Sequence, residues 1–157
     1  MDALQSVFTI LVVDDDEGHV ELLRRNLSHI ALCNPLLVLH DGARALDYIF
    51  HRGDFAGRTG ADPLILLDIN MPGSMGGVEV LRQIKADAAT SKTPIIMLST
   101  TDDPREVALC YELGCSVYIT KPVDPIQFIE AIRRLGFFLQ IIRLPENGSG
   151  AVAESAP

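Results

Sequence analysis

Short runs of β-forming apolar residues alternate along the chain with longer stretches in which apolar positions recur every three or four residues. Phe8 to Val13 is a run of β-formers that ends in acids, and Glu17 to Ile30 then places Val20, Leu23, Leu27 and Ile30 at helical spacing. Leu36 to Leu39 reads as a second strand, and Gly42 to Phe50 as a short helix with Ala45, Leu46 and Ile49 inward. Leu64 to Leu67 is a buried strand running straight into Asp68, and Val78 to Ala88 is the next helix, with Val80, Leu81 and Ile84 on its apolar face. Ile95 to Leu98 is a fourth strand. The helix after it opens at Pro104, with Asp102 or Asp103 as cap, and ends near Gly114. Ser116 to Thr120 is a fifth strand, and Pro125 opens a last helix carrying Phe128, Ile129, Ile132 and Leu135 on one face. The polar, glycine-containing stretch His51 to Asp62 reads as a loop. The tail Glu146 to Pro157 is Gly, Ser, Ala and Glu and is predicted to be disordered, which leaves residues 1–145 as the domain.

Five strands and five helices in strict alternation predict an α/β protein with a parallel sheet covered on both faces. The expected architecture is a flavodoxin-like (βα)5 doubly wound sheet of strand order 2-1-3-4-5. Right-handed crossovers then place every loop that follows a strand on one edge of the sheet, where ligand sites of open α/β folds form.

The special polar residues all fall on that edge. Asp14, Asp15 and Asp16 follow the first strand, Asp68 ends the third, Ser99 and Thr100 follow the fourth, and Lys121 follows the fifth. Grouped carboxylates repel one another and are costly unless a cation joins them. Asp14, Asp15 and Asp68 suit a hard, oxygen-preferring divalent ion such as Mg²⁺, which keeps waters and phosphate oxygens among its ligands. Such an ion neutralises an incoming phosphoryl group and lets the Asp68 carboxylate attack phosphorus. Lys121 supplies a second positive charge, and the Ser99 hydroxyl a further hydrogen bond. Taken singly, each residue also has a plain reading: a solvated turn and helix cap for Asp14 to Asp16, a loop cap for Asp68, turn residues for Ser99 and Thr100, a surface lysine beside a rigid turn for Lys121. Their joint placement favours the site.

Composition narrows the class. The 157 residues fit one domain, and 48% hydrophobic with 22% charged residues describes a globular protein. A formal charge of -8, from 21 acidic and 13 basic residues, argues against a nucleic-acid footprint. The apolar runs are too short to span a bilayer, and the amino terminus resembles no cleavable leader, so a cytoplasmic protein is expected. Cys33, Cys110 and Cys115 lack metal-ligand spacing and read as reduced core thiols; Cys110 and Cys115 as a redox pair is the lesser alternative.

The segments ILVVDDDEG, LILLDINMP, MLSTTDD and VYITKPVD, in this order and at these separations, resemble the receiver domains of two-component response regulators, from Phe8 to about Leu139. The resemblance implies a phosphorylation switch that is not a turnover enzyme. It makes Asp68 the phosphoacceptor, Asp14 and Asp15 the acidic pair with Asp15 a direct metal ligand, and Asn70 the residue whose backbone carbonyl meets the metal. Ser99 would be the switch hydroxyl, Thr100 its small neighbour, Lys121 the lysine before a cis-prone proline, and Tyr118 the aromatic that swings inward. One departure follows Asp68. The family commonly has Pro-x-x-Asp-Gly there, whereas this chain has Pro72-Gly73-Ser74-Met75-Gly76-Gly77, without the aspartate and with a loop one residue longer.

The carboxy-terminal stretch is similar to that of small response regulators that work with cyanobacterial and bacterial phytochrome kinases. The shared marks are Gln127-Phe128, Phe137-Phe138 and Leu144-Pro145, although the group more often has Trp where Phe138 stands. The implied partner is a phytochrome-type sensor histidine kinase. Too little chain follows Lys121 for a helix-turn-helix effector, so output through protein contacts or onward phosphotransfer is expected. Phe137, Phe138, Leu139, Ile141 and Ile142 form an apolar cluster beyond what a five-stranded sheet needs, and with Phe128 they are expected to make a homodimer interface; fold-back onto the chain's own core is the alternative.

Two enzyme readings fare worse. A phosphatase of related fold needs a second aspartate two residues after its nucleophile, and position 70 is asparagine. A flavodoxin needs a phosphate loop after the first strand, where Asp14 to Asp16 would repel the phosphate. A receiver-fold binding module that no longer takes phosphate, and an intermediate relay protein, remain open.

Overall fold

The computed structural model describes residues 8–27, 35–60, 62–71, 75–121, 124, 126–128 and 130. Strands β1 (Ile10–Val13), β2 (Leu36–Leu39), β3 (Leu64–Asp68), β4 (Ile95–Ser99) and β5 (Val117–Thr120) alternate with helices α1 (Glu17–Asn26), α2 (Gly42–Ile49), α3 (Gly77–Ala86) and α4 (Pro104–Leu113). Residues 126–128 and Glu130 are helical as well. The strands form one sheet of order β2-β1-β3-β4-β5, parallel at every pairing, as the alternation predicts.

The side-chain period of two sorts the strand residues onto two apolar faces. Leu11, Val13, Ile65, Leu67, Ile95 and Met97 face the core built with Ala45, Leu46 and Ile49 of α2, Val80, Leu81 and Ile84 of α3, and Cys110 of α4. Ile10, Val12, Leu64, Leu66, Ile96 and Leu98 face the opposite core with Val20 and Leu23 of α1, Leu27 and Phe128. β1, β3 and β4 are therefore buried on both sides, which is why they read as unbroken apolar runs. Each fully enclosed Leu or Ile contributes roughly 1.5–3 kcal/mol of transfer free energy. Phe128 is a correction to the sequence reading. It is wholly enclosed in the second core rather than offered to a partner, because its turn of helix packs directly against the sheet.

The capping signals are realised in α4. Asp103 accepts from the Arg105 N–H at 2.9 Å, Pro104 takes the first turn, and Gly114 closes the helix at φ 109°, a conformation that glycine adopts without penalty. α3 starts one residue earlier than its pattern suggests and ends at Ala86 rather than Ala88. Its start is possible because Gly77 has no Cβ; an added methyl would overlap the Asp68 carbonyl and the Ile69 backbone. Cys110 and Cys115 are free and buried. Cys33, Phe137, Phe138, Leu139, Ile141, Ile142 and the tail lie outside the described residues. Among the described residues no helix is long and apolar enough to cross a membrane.

Candidate functional site

β3 and β4 each run one residue further than their apolar pattern, so Asp68 and Ser99 are strand-terminal residues rather than loop residues. The backbone ladder extends past the strand ends. Asp14 N–H donates to the Leu39 carbonyl at 3.1 Å, and Lys121 N–H to the Ser99 carbonyl at 2.7 Å. These bonds hold the site residues at fixed heights over the sheet edge, a rigidity that loop placement would not give.

Within this frame the acidic run divides its labour. Asp14 is 1% exposed, and its Oδ1 accepts from the Asp16 N–H at 2.9 Å. Asp15 is exposed to the cleft. Asp16 is the α1 cap, its Oδ1 accepting from Gly18 N–H at 2.8 Å and His19 N–H at 3.2 Å. The bond from the His19 N–H is the main reason its carboxyl is held below the usual carboxylate range. The plain helix-cap reading thus holds for Asp16, and the cluster is made by its two neighbours with Asp68.

One carboxylate oxygen from each of Asp14, Asp15 and Asp68 lies within 4.8 Å of the others. Asp14 Oδ2 is buried and makes no hydrogen bond, an expensive state for a carboxylate oxygen. Burial pushes the Asp68 carboxyl up; the nearby Lys121 charge pulls it down, and the Asp14 charge raises it again. Lys121 Nζ is 3.2 Å from Asp68 Oδ1 and 3.6 Å from Asp14 Oδ2, with its side chain only 10% exposed. One ammonium facing three carboxylates leaves a net negative pocket. An orphaned inward oxygen and three converging carboxylates fit a hard divalent cation.

Asp15, Asp16, Glu17, His19, Asp68, Asn70, Thr100 and Lys121 line an open cleft of about 540 Å³ over this cluster. Asn70 N–H points back to Asp68 Oδ1 at 3.4 Å, and the Asn70 and Thr100 residues are exposed at the rim. Ser99 is fully buried, its Oγ accepting from the Thr101 N–H at 3.1 Å. Tyr118, half-buried on the edge strand, directs its hydroxyl at the Thr101 carbonyl at 2.8 Å and Glu106 Oε1 at 3.1 Å. Burial is the first cause of its phenol being pushed up to about 12.

The sequence profile of the response regulator receiver domain matches residues 10–133. The chain belongs to that family. Response regulator Rcp1 of Synechocystis sp. is 30% identical over 139 residues, spanning 87% of this chain and 92% of Rcp1. The solved bacteriophytochrome response regulator RtBRR is 39% identical, with a TM-score of 0.74 over 83% of this chain and 79% of its own. The phosphorylated cyanobacterial phytochrome response regulator RcpA is 28% identical, with a TM-score of 0.72 over 85% and 94%. As a receiver this chain is a phosphoacceptor domain rather than an enzyme with a separate turnover substrate, and the clustered aspartates are suited to that chemistry.

The structure brings Asp14, Asp15, Asp68 and Lys121 together as the sequence reading requires. Ser99 sits beneath the cleft, and the loop departure at Pro72 to Ser74 lies outside the described residues. Two residues escaped sequence reasoning. Glu106 meets the Tyr118 hydroxyl, and His19 meets Lys121, its Nδ1 2.9 Å from the ammonium. His19 does carry a faint signal, since it stands third in the helix that Asp16 caps and so shares the edge of the acidic run.

Proposed function

We propose that this chain receives a phosphoryl group on Asp68 from a phytochrome-type histidine kinase, in the presence of Mg²⁺, and signals through changed protein contacts. The observation that carries the reading is Asp68 itself. It is a buried, strand-terminal carboxylate 3.2 Å from the Lys121 ammonium and clustered with Asp14 and Asp15. Asp14, Asp15, Asp68 and the Asn70 backbone would hold the metal, whose positive charge would screen the phosphoryl oxygens from the carboxylates. An Asp68 oxygen forms the new O–P bond as the bond from phosphorus to the donor's imidazole nitrogen breaks, and the electron pair leaves with the imidazole. Lys121 stands beside the attacking oxygen and meets the phosphoryl oxygens as they arrive. Ser99 and Thr100, next to the cleft, and Tyr118 behind them form the switch. A rotation of the Ser99 hydroxyl toward phosphate would release its bond from Thr101, whose carbonyl also holds Tyr118. The kinase class rests on similarity to RtBRR and RcpA, both phytochrome response regulators.

Intact mass after incubation with acetyl phosphate tests the reading. A gain of one phosphoryl mass, dependent on Mg²⁺ and absent from Asp68→Ala, is expected. No gain under conditions that label another receiver would leave a kinase-selective receiver or a phosphorylation-independent binding module, and would favour the second.

The same reading includes a homodimer through the carboxy-terminal helix and extension, supported by the apolar run Phe137, Phe138, Ile141 and Ile142. Phe128 is excluded from that surface by its burial. Light scattering at micromolar concentration is expected to give twice the chain mass; a monomer mass would refute the dimer while leaving the phosphoacceptor untouched.

A further inference from the structure

We propose that His19 is a positioning residue for Lys121, its neutral imidazole accepting a hydrogen bond that fixes the ammonium over the phosphoacceptor. The inference rests on the reading of Asp68 and Lys121 given above and adds to it a residue of this chain's own.

An ammonium has three N–H donors. Two acceptors lie within hydrogen-bond distance of Lys121 Nζ, His19 Nδ1 at 2.9 Å and Asp68 Oδ1 at 3.2 Å, and the Asp14 Oδ2 charge stands further off at 3.6 Å. The shortest contact is to the uncharged one. Coulombic attraction alone would favour the two carboxylates, where the ammonium would compete for the oxygens that a divalent cation needs. A neutral acceptor on α1 ties one N–H without consuming a carboxylate oxygen and restricts a long, flexible side chain to one rotamer.

The contact also fixes the state of the imidazole. Lysine can only donate, so Nδ1 must accept, and the ring proton resides on Nε2. A protonated ring would set two cations against each other at hydrogen-bond distance. His19 Nδ1 lies 3.7 Å from Asp14 Oδ2 and 3.8 Å from Asp16 Oδ2, both too long for hydrogen bonds.

His19 has a rigid mount. Its N–H bonds to the Asp16 cap, and the next residue, Val20, donates to the Asp16 carbonyl at 3.0 Å. Asp16 thereby acts on the site indirectly, through the turn that carries His19. The imidazole side chain is 40% exposed and lines the cleft, so packing does not account for its position.

Removing the acceptor sends one lysine donor to water and loosens the charge that meets the transferring phosphoryl group. The loss of one such bond is worth about a three- to tenfold slowing. His19→Leu is expected to slow labelling by acetyl phosphate by that factor at saturating Mg²⁺. His19→Asn, whose side-chain oxygen can stand near the lost Nδ1, is expected to restore most of the rate. Equal rates for His19→Leu and wild type would overturn the assignment, and so would equal slowing in His19→Leu and His19→Asn.

A second readout is independent of phosphorylation. Long-range ¹H–¹⁵N imidazole correlations of the metal-free protein at a pH of about 8, above the ordinary imidazole range, report the tautomer directly. The set of resonances missing from His19→Asn is expected to show Nε2–H and an Nδ1 shift that moves in Lys121→Met. An Nδ1–H tautomer, or an Nδ1 shift indifferent to Lys121→Met, would refute the contact. Failure of the wild type to be labelled would instead strike the phosphoacceptor reading, and the imidazole spectra would still decide the role of His19.

Discussion

Two polar regions of this protein treat their charges in opposite ways. At the carboxyl edge of the sheet, three carboxylates share one ammonium, and Asp14 Oδ2 has no hydrogen-bond partner. In α2 and the segment that follows it, the arginines Arg44, Arg52 and Arg58 are instead tied off locally. Arg44 reaches Asp54 at 3.1 Å and lies 5.1 Å from the Phe55 ring centroid. Arg52 pairs with Asp47 at 3.8 Å and covers the Phe50 ring, while Arg58 covers the Tyr48 ring at 4.2 Å and donates to the Tyr48 carbonyl at 2.9 Å. Charged residues alone therefore do not mark function here. The mark is charge that the fold has buried and left unbalanced, because only a ligand repays that cost.

The sharpest way to break the contrast is to relieve the imbalance. Asp68→Asn removes one of three mutually repelling carboxylates and keeps its shape. The native Asp68 carboxyl is raised, chiefly by burial. A raised native pKa means that the folded state holds the proton more tightly than the unfolded chain does. The resulting stability is fully present below the unfolded carboxylate range and is lost as pH rises through the native value. As pH rises through the native value the wild type loses it, whereas the variant has nothing to lose. Asp68→Asn is thus expected to raise the melting temperature at pH 7 by about 4 °C or more, a shift worth roughly 1 kcal/mol at this size. The gap should close in acid as the native carboxyl protonates. Mg²⁺ should raise the melting temperature of the wild type more than that of the variant, since it binds the folded cluster. A variant less stable than wild type at pH 7 would show that the Lys121 pair outweighs the repulsion.

What could be read from the sequence divides along the same line. The alternation of strands and helices, the helix faces and the set Asp14, Asp15, Asp68 and Lys121 were legible because they depend on short periods and on which end of a strand a residue occupies, whereas the strand order was an expectation from the count of elements. His19 was not legible, since its partner is 102 residues away and only the shared edge of the sheet brings the first turn of α1 and the residue after β5 together. Phe128 was assigned to the wrong surface for a related reason. Its apolar stripe shows that one helix face is covered, but periodicity does not say whether the chain's own sheet or a second copy covers it. The stretch from His51 to Asp62 read only as a polar loop, because stacked guanidiniums and carbonyl caps leave no repeating pattern. In the structure it contains a 3₁₀ turn at Gly53–Phe55, with Phe55 edge-on to Tyr48 at 5.2 Å.

That satisfied region offers the complementary test, with a smaller effect. Arg58 Nη2 donates to His51 Nε2 at 3.0 Å, which leaves the His51 Nδ1–H to donate back to the Arg58 carbonyl, also at 3.0 Å. His51 itself is held at φ 57°, an uncommon conformation for a residue with a Cβ, so these bonds offset a backbone cost as well as joining the two ends of the turn. Arg58→Ala deletes the stack on Tyr48 and the side-chain bonds together. A loss of about 1–2 kcal/mol in urea unfolding is expected. The rate of Asp68 labelling by acetyl phosphate should not change, because none of these groups lines the cleft. A variant that lost stability and labelling in parallel would mean that the two regions are coupled through α2, and that the difference between satisfied and unbalanced charge does not by itself separate scaffold from site.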